Sequence, residues 1–416
     1  IESVSTDTLA QNFLNASGRF FDQSTVRFGI IGLGSRGANA VRILSCVPDC
    51  RITALCDLSS EALDKVLQTI EVSSGIHQFT GSPEAWKHLC EWPDVDIVYI
   101  CTDWNSHVPV ALHAMQSGKH VALEVPAAST LEEIWALVDM AEKTRRHCIM
   151  MENCVYDSFE MATLTMVEAG AFGEIVHVEG AYHHCLDKQW PAWRLEYNRT
   201  NRGDLYPTHG IGPVCQALGI HRKDRMKTLV SMDTSSFNGS RVYENAVGPC
   251  DGFMNADQTD TLIKTENGKT ILLQHNVMTP RPYDRLFKIV GTEGYAAKYP
   301  IEQIYLRSEE VEDPKEVGRI YQSDELKAIQ QKYPNPLMTQ ELISLEKPQA
   351  SRGDMDFIMF YRLVHCLHNG LPLDMDVYDM AEWCSISELS RLSLENGNVP
   401  VEVPDFTRGS WKSKNI

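Results

Sequence analysis

From residue 26 to 156, short continuous apolar runs rich in valine and isoleucine alternate with stretches of helical spacing. The runs are VRFGIIG, RITALCD, VDIVYICTD, HVALEVP and CIMMEN. They are too continuous for strands with one wet face and suit a parallel sheet covered on both sides. Between them Glu61–Ile70, His107–Ser117 and Leu131–Thr144 carry helical periodicity. The alternation predicts a doubly wound, Rossmann-type α/β domain over 26–156.

After about residue 170 the apolar pattern lengthens and begins to alternate, in EIVHVEGAYHH, KTLVSMDTSS, DTLIKTENGKTILLQHNV and DRLFKIVGTEGYAAKYP. ENGK between two such runs is a hairpin signal. Residues 157–416 are therefore expected to form an α+β domain on a mainly antiparallel sheet, with one face packed and one open to a ligand. The charged stretch 307–340 reads as a surface excursion. Met355–Leu367 and Tyr378–Leu394 read as helices that return to the first domain, and the glycine and prolines of ENGNVPVEVPDF stop the last one. Residues 1–25, polar and without periodicity, read as an arm.

Composition narrows the partners. The chain has 416 residues, 43% apolar and 23% charged, with a net charge of −18. That charge argues against a general affinity for nucleic acid or anionic lipid, which need basic patches. A small, neutral or locally paired ligand fits better. No apolar run reaches the roughly 18 residues that span a bilayer, so no membrane span is expected. The twelve cysteines are scattered, and Cys56, Cys101, Cys148 and Cys215 sit in apolar contexts as small hydrophobes. The chain opens on Ile rather than Met, which leads us to expect that a signal peptide or a tag has been removed; a cytoplasmic and an exported protein are both compatible with this.

The first chemical signal is FGIIGLGSRG. Gly32, Gly34 and Gly37 form GxGxxG after a strand and at a helix start, followed by Ser35 and Arg36 inside the motif. Such glycines allow a tight turn and close approach of a pyrophosphate, whose charge suits the helix N-terminus. Asp57 closes the next strand, where a carboxylate would accept from a ribose diol and repel a 2′-phosphate, which favours NAD over NADP. Three more loops fall at strand ends. CTDWNSH offers Trp104 and His107 to the nicotinamide ribose and phosphates, EVPAA places Glu124 and Val125 next along the sheet, and MENCVY offers the amide of Asn153. Each of these, taken singly, suits a cap or a packing role equally well.

The second signal is NRGDLYPTHGIGP, with Tyr206 and His209 one helical turn apart and Gly203 and Gly210 on either side, read as leaving room for a ring and the nicotinamide. A metal site built from His183, His184 and Asp187 is conceivable, but no CxxC or HExxH spacing supports one and none is expected.

With these motifs in this order before a β-rich half, the chain resembles the Gfo/Idh/MocA oxidoreductases over nearly all of residues 26–406. In that family an E-K-P motif usually follows the fifth strand, its lysine helping to move a proton; here it reads Glu124-Val125-Pro126. EVPAA, MMEN, GAYHH, WRLEYNRTNRGDLYPTHGIGP and TPRPYDR look like glycoside hydrolase family 109, the NAD-dependent α-N-acetylgalactosaminidases. The resemblance implies cofactor contacts from Ser35, Arg36, Asp57, Trp104, His107, Glu124, Val125, Asn153 and Tyr206. It implies sugar contacts from Tyr182, Arg194, Tyr206, Pro207, Thr208, His209 and Tyr283.

The implied reaction oxidises C3 of the sugar, removes the C2 proton, eliminates the C1 aglycone, adds water and reduces C3 again, without the carboxylate pair of most glycosidases. His209 is the expected base, since a neutral imidazole is available near pH 7. Tyr206 is expected beside it, and Tyr182 and Tyr283, from separate strands, are expected to supply the remaining proton transfer. A tyrosine acts as a base only beside a cation, and Arg194 and Arg281 are at hand. Two other readings stay open: a sugar dehydrogenase releasing NADH, and a non-catalytic protein that binds NAD and a sugar. A homo-oligomer paired through the C-terminal sheet is also expected.

Overall fold

The computed structural model describes residues 25–70, 75–185, 190–308, 315–345 and 354–412. The expected N-terminal arm, but for residue 25, and Asp187 lie outside them. The chain divides after Tyr156 into two compact units, and Leu337–Ala381 and Phe406–Ser410 group with the first. The second domain expected over 157–416 is thus interrupted.

The first unit is built on β1 (Val26–Ile31), α1 (Ser35–Leu44), β2 (Cys50–Cys56), α2 (Ser60–Leu67), β3 (His77–Phe79), α3 (Ala85–Glu91), β4 (Ile97–Ile100), α4 (Trp104–Gln116), β5 (His120–Leu123), α5 (Leu131–Thr144) and β6 (Cys148–Met150). All six strands are parallel, in the order β3-β2-β1-β4-β5-β6. Every residue of β4, β5 and β6 is buried, as the continuous apolar runs require. α5 has the predicted limits because both are local: Thr130 and Glu133 form a capping box, and Arg145 ends the helix in the left-handed region. α4 starts three residues earlier than its periodicity suggests, because the Asp103 side chain caps it by accepting from Asn105 N–H.

The second unit begins with α6 (Ser158–Glu168), β7 (Ile175–His183), α7 (Ala192–Thr200), α8 (Thr208–Leu218), β8 (Met226–Asp233) and α9 (Gly239–Ala246). It continues with β9 (Thr259–Thr265), β10 (Thr270–Asn276), β11 (Lys288–Gly291), β12 (Gly294–Ala297), β13 (Gln303–Arg307), β14 (Gly318–Gln322) and α10 (Ser323–Gln330). α11 (Gln340–Ser344) and α12 (Met355–Asn369) belong to the first unit, after which α13 (Val377–Glu395) leads to β15 (Val401–Glu402) of the second. The nine-stranded sheet runs β14-β13-β12-β11-β7-β10-β9-β8-β15, antiparallel except for the central β7–β10 pair. The ENGK hairpin joins β9 to β10. Two expectations are corrected. Residues 318–330 are a strand and a helix rather than only an excursion, and Tyr283 stands in the connection between β10 and β11, not on a strand.

Among the described residues no helix is long and apolar enough to cross a membrane.

Candidate active site

Each unit collects its own set of the residues singled out above. In the first, β1 turns into α1 through Gly32 at φ +89°, where a Cβ would lie 2.8 Å from the Cys101 carbonyl. At Gly37 a Cβ would lie 1.9 Å from the Gly32 oxygen, so the helix packs on its own turn only as glycine. A Cβ at Gly34 would meet nothing within 4 Å, and this residue begins α1 without a side-chain cap and without acidic residues in the first turn. Exposed N–H groups beside open space are what an anionic pyrophosphate requires.

Asp57 follows β2 and accepts from Leu33 N–H at 2.6 Å and Ser59 N–H at 2.8 Å, one bond to each oxygen. A carboxylate has about four lone-pair sites, so two remain for a ribose diol.

Arg36, Glu124 and Asn153 form one network. Arg36 donates to Glu124 at 2.8 Å and to Asp356 at 2.9 Å, and Asn153 donates to Asp356 at 2.7 Å. The Tyr99 hydroxyl donates to Glu124; burial pushes this phenol well above its usual range and keeps it a donor. The Nε of Arg36 is buried with no hydrogen-bond partner among the described residues. This orphan donor, the open space at Gly34 and the remaining acceptors of Asp57 together fit a dinucleotide. Trp104 and Val125 are both 7% exposed. His107 is fully buried, with Nδ1 3.0 Å from the Pro126 carbonyl and Nε2 3.2 Å from that of Thr102; burial lowers its pKa. Its imidazole is thus engaged with the two loops it joins.

In the second unit β7 delivers Tyr182, the turn before α8 delivers Tyr206 and Pro207, and the first turn of α8 delivers Thr208 and His209. The ring centroids of Tyr182 and Tyr206 are 4.6 Å apart, those of Tyr206 and His209 5.0 Å, and those of Tyr182 and His209 5.4 Å. The Arg194 guanidinium, from α7, lies 4.5 Å from the Tyr206 ring. Tyr283 stands edge-on to Tyr182 at 6.5 Å. All five aromatic and cationic residues expected at the sugar are therefore neighbours.

The glycines of the motif do something other than expected. A Cβ on Gly210 would lie 2.6 Å from Ala181 N and one on Gly180 2.2 Å from the Gly210 carbonyl, so this pair lets α8 lie directly on β7. Gly203, at φ +108°, faces Ser390. The space at both is filled by protein, and neither leaves room for a ligand.

Several residues escape sequence reasoning. Asp356 lies 320 residues from Arg36, and nothing local marks it. Asp204 sits inside the motif, 1% exposed, its carboxylate accepting from Tyr206 N–H at 3.2 Å while its own N–H donates to Ser390 Oγ at 2.9 Å. His275 pairs in register with Tyr182 and is fully buried; burial, then Arg194 and His183, lower its pKa to about 3, so it is neutral. A titratable residue inside a known motif was the one signal available, and it pointed only to Asp204.

Residues 26–152 match the family described as "Oxidoreductase family, NAD-binding Rossmann fold" (Gfo/Idh/MocA), and residues 156–413 match "Glycosyl hydrolase 109, C-terminal domain". The first unit therefore contains an NAD-binding Rossmann domain. Glycosyl hydrolase family 109 protein 1 of Bacteroides thetaiotaomicron is 53% identical over 404 residues, covering 93% of this chain and 86% of that protein. The family 109 protein of Porphyromonas gingivalis is similar to the same degree and over the same shares. Among solved structures, levoglucosan dehydrogenase in complex with NADH and L-sorbose aligns with a TM-score of 0.72 at 19% identity, covering 92% of this chain and all of that one. The scyllo-inositol dehydrogenase of Lactobacillus casei aligns with a TM-score of 0.65 at 16% identity, covering 92% of this chain and 99% of that one. At such identities the likeness is one of fold.

Proposed function

The chain belongs to the glycosyl hydrolase 109 family, and from that premise we propose that it hydrolyses α-N-acetylgalactosaminides, or a related hexosaminide, by a transient oxidation of the sugar at C3. The observation that carries this reading is the cluster of Tyr182, Tyr206 and His209 with Arg194 over the Tyr206 ring. Its members can move protons and hold hydroxyls. Asp204, the carboxylate of the same motif, is committed to a backbone N–H.

The Gly34 turn, Asp57, Arg36 and Asn153 would hold NAD, which would supply a reversible hydride acceptor for C3, so that the net change is hydrolysis alone. The protein's own groups do the rest. His209 takes the proton of the C3 hydroxyl, and Tyr206 beside it hydrogen-bonds the sugar hydroxyls. Arg194 fixes a sugar oxygen. Ketone formation at C3 acidifies the C2 proton, and the tyrosines supply the remaining proton transfers as the C1 aglycone leaves and water adds.

The test is to incubate the purified protein with an aryl α-N-acetylgalactosaminide without added NAD, following phenol release and NADH absorbance together. Phenol without net NADH is expected. NADH accumulating without phenol would instead establish a dehydrogenase. His209→Ala is expected to abolish turnover while NAD stays bound, and a variant with a near-normal rate would remove His209 from the role of base.

A further inference from the structure

Tyr283 differs from the other members of the cluster in facing outward. It is 38% exposed and, with Thr279, Arg281, Asp284 and Tyr299, lines a recess of about 390 Å³. That volume lies within the roughly 300–1,000 Å³ of small-molecule sites. The Tyr299 ring stands 6.3 Å from Tyr283 at an angle of 77°, giving the recess two aromatic walls. Arg281 Nε is buried with no hydrogen-bond partner among the described residues. Aromatic faces combined with a guanidinium, a hydroxyl and a carboxylate suit a saccharide, which presents C–H faces and hydroxyls together, better than an acyl chain, which has no use for the polar groups.

Behind Tyr283 is a buried ion cluster. Arg285 donates through Nη1 to the Tyr283 hydroxyl at 3.0 Å and through Nη2 to both oxygens of Glu160, at 2.8 and 2.9 Å. Asp157, which Lys298 also pairs with, lies 3.3 Å from the same nitrogen. A guanidinium only donates, so the phenol oxygen is the acceptor in that bond and the hydroxyl proton is directed elsewhere. A cation fixed on a phenol oxygen also stabilises the phenolate left when the proton is given away.

We propose that this recess is the subsite for the leaving saccharide, with Tyr283 at its edge as the acid that protonates the leaving oxygen and Arg285 as the residue that positions Tyr283. The proposal rests on the glycosidase reading above. In the elimination a base takes the C2 proton, the C2–H electron pair forms the C1–C2 double bond, and the C1–O pair stays with the leaving oxygen. That oxygen receives the Tyr283 proton. When water adds, its hydroxide goes to C1 and its proton to the phenolate, and the base returns its proton to C2.

The test compares an α-N-acetylgalactosaminyl disaccharide with the 4-nitrophenyl α-N-acetylgalactosaminide in D2O. Tyr299→Ala is expected to lower kcat/KM about tenfold more for the disaccharide than for the nitrophenyl glycoside, and Thr279→Val to act in the same direction. Tyr283→Phe is expected to lose kcat mainly on the disaccharide, because nitrophenolate leaves with little protonation, while still exchanging the C2 proton for deuterium. Arg285→Lys is expected to shift the pH profile of kcat for the disaccharide. Equal losses on the two substrates, or loss of C2 exchange in Tyr283→Phe, would overturn the subsite alone. A wild-type protein that neither exchanges C2 nor releases an aglycone would overturn the glycosidase reading and the subsite with it.

Discussion

Asp204 holds the turn that carries Tyr206 and His209, through the bond from Tyr206 N–H to its carboxylate. Burial raises its pKa to about 7, against an ordinary value of 3.8, with the Tyr206 N–H pulling the other way. The folded pKa exceeds the unfolded one, so the fold favours the neutral acid. Its contribution to stability is complete below about pH 4 and is lost as the pH rises through about 7, on the order of 4 kcal/mol in all. Asp204→Asn is expected to unfold with a flatter pH dependence over that window and to gain on the wild type at pH 8. Urea midpoints at several pH values check this, and parallel curves for the two proteins would contradict it. The residue lies within a motif singled out from sequence alone, yet its role was illegible there. A carboxylate's pKa depends on what surrounds it, and the burial of Asp204 and its contact with Ser390 come from chain nearly two hundred residues away.

At the scale of elements, the contrast between α5 and α8 shows which local signals suffice. α5 was readable because a threonine and a glutamate at capping spacing and an amphipathic run lie within its own length. α8, THGIGPVCQAL, carries two glycines and a proline that argue against a helix, and it forms because Gly210, facing Gly180 and Ala181, lets it rest on β7. Close backbone approach here stabilises what propensity disfavours. Gly210→Ala is expected to cost about 1–3 kcal/mol through overpacking against Ala181 and Leu273. It should also lower kcat by displacing the adjacent His209, with circular dichroism and turnover as the paired measurements; unchanged stability would mean that β7 yields more easily than the contact distances imply.

For the whole molecule, the cofactor should be visible as stability. Since the Gly34 turn and Asp57 proposed for the dinucleotide lie within the first unit, NAD at about 100 times its Kd is expected to stabilise that unit by about 2.7 kcal/mol, and calorimetry of cofactor-stripped protein with and without NAD measures it. No shift would contradict the assignment of the Gly34 turn and Asp57 to the dinucleotide. The strand–helix rhythm of the first unit, the GxGxxG turn, Asp57 and the motif that places Tyr206 beside His209 were all determined by the sequence by itself, because each depends on periodicity or spacing within one or two elements. Only the tertiary structure decided that Asp356 joins Arg36 to Asn153, that β7 pairs in parallel with β10, that Arg285 addresses the Tyr283 hydroxyl, and that Gly210 meets backbone rather than a ligand. With the exception of Arg285 and Tyr283, these contacts join residues that are dozens to hundreds of positions apart. Even the Arg285–Tyr283 contact depends on the carboxylates of a distant helix holding the guanidinium in place, and a local pattern contains no term for that.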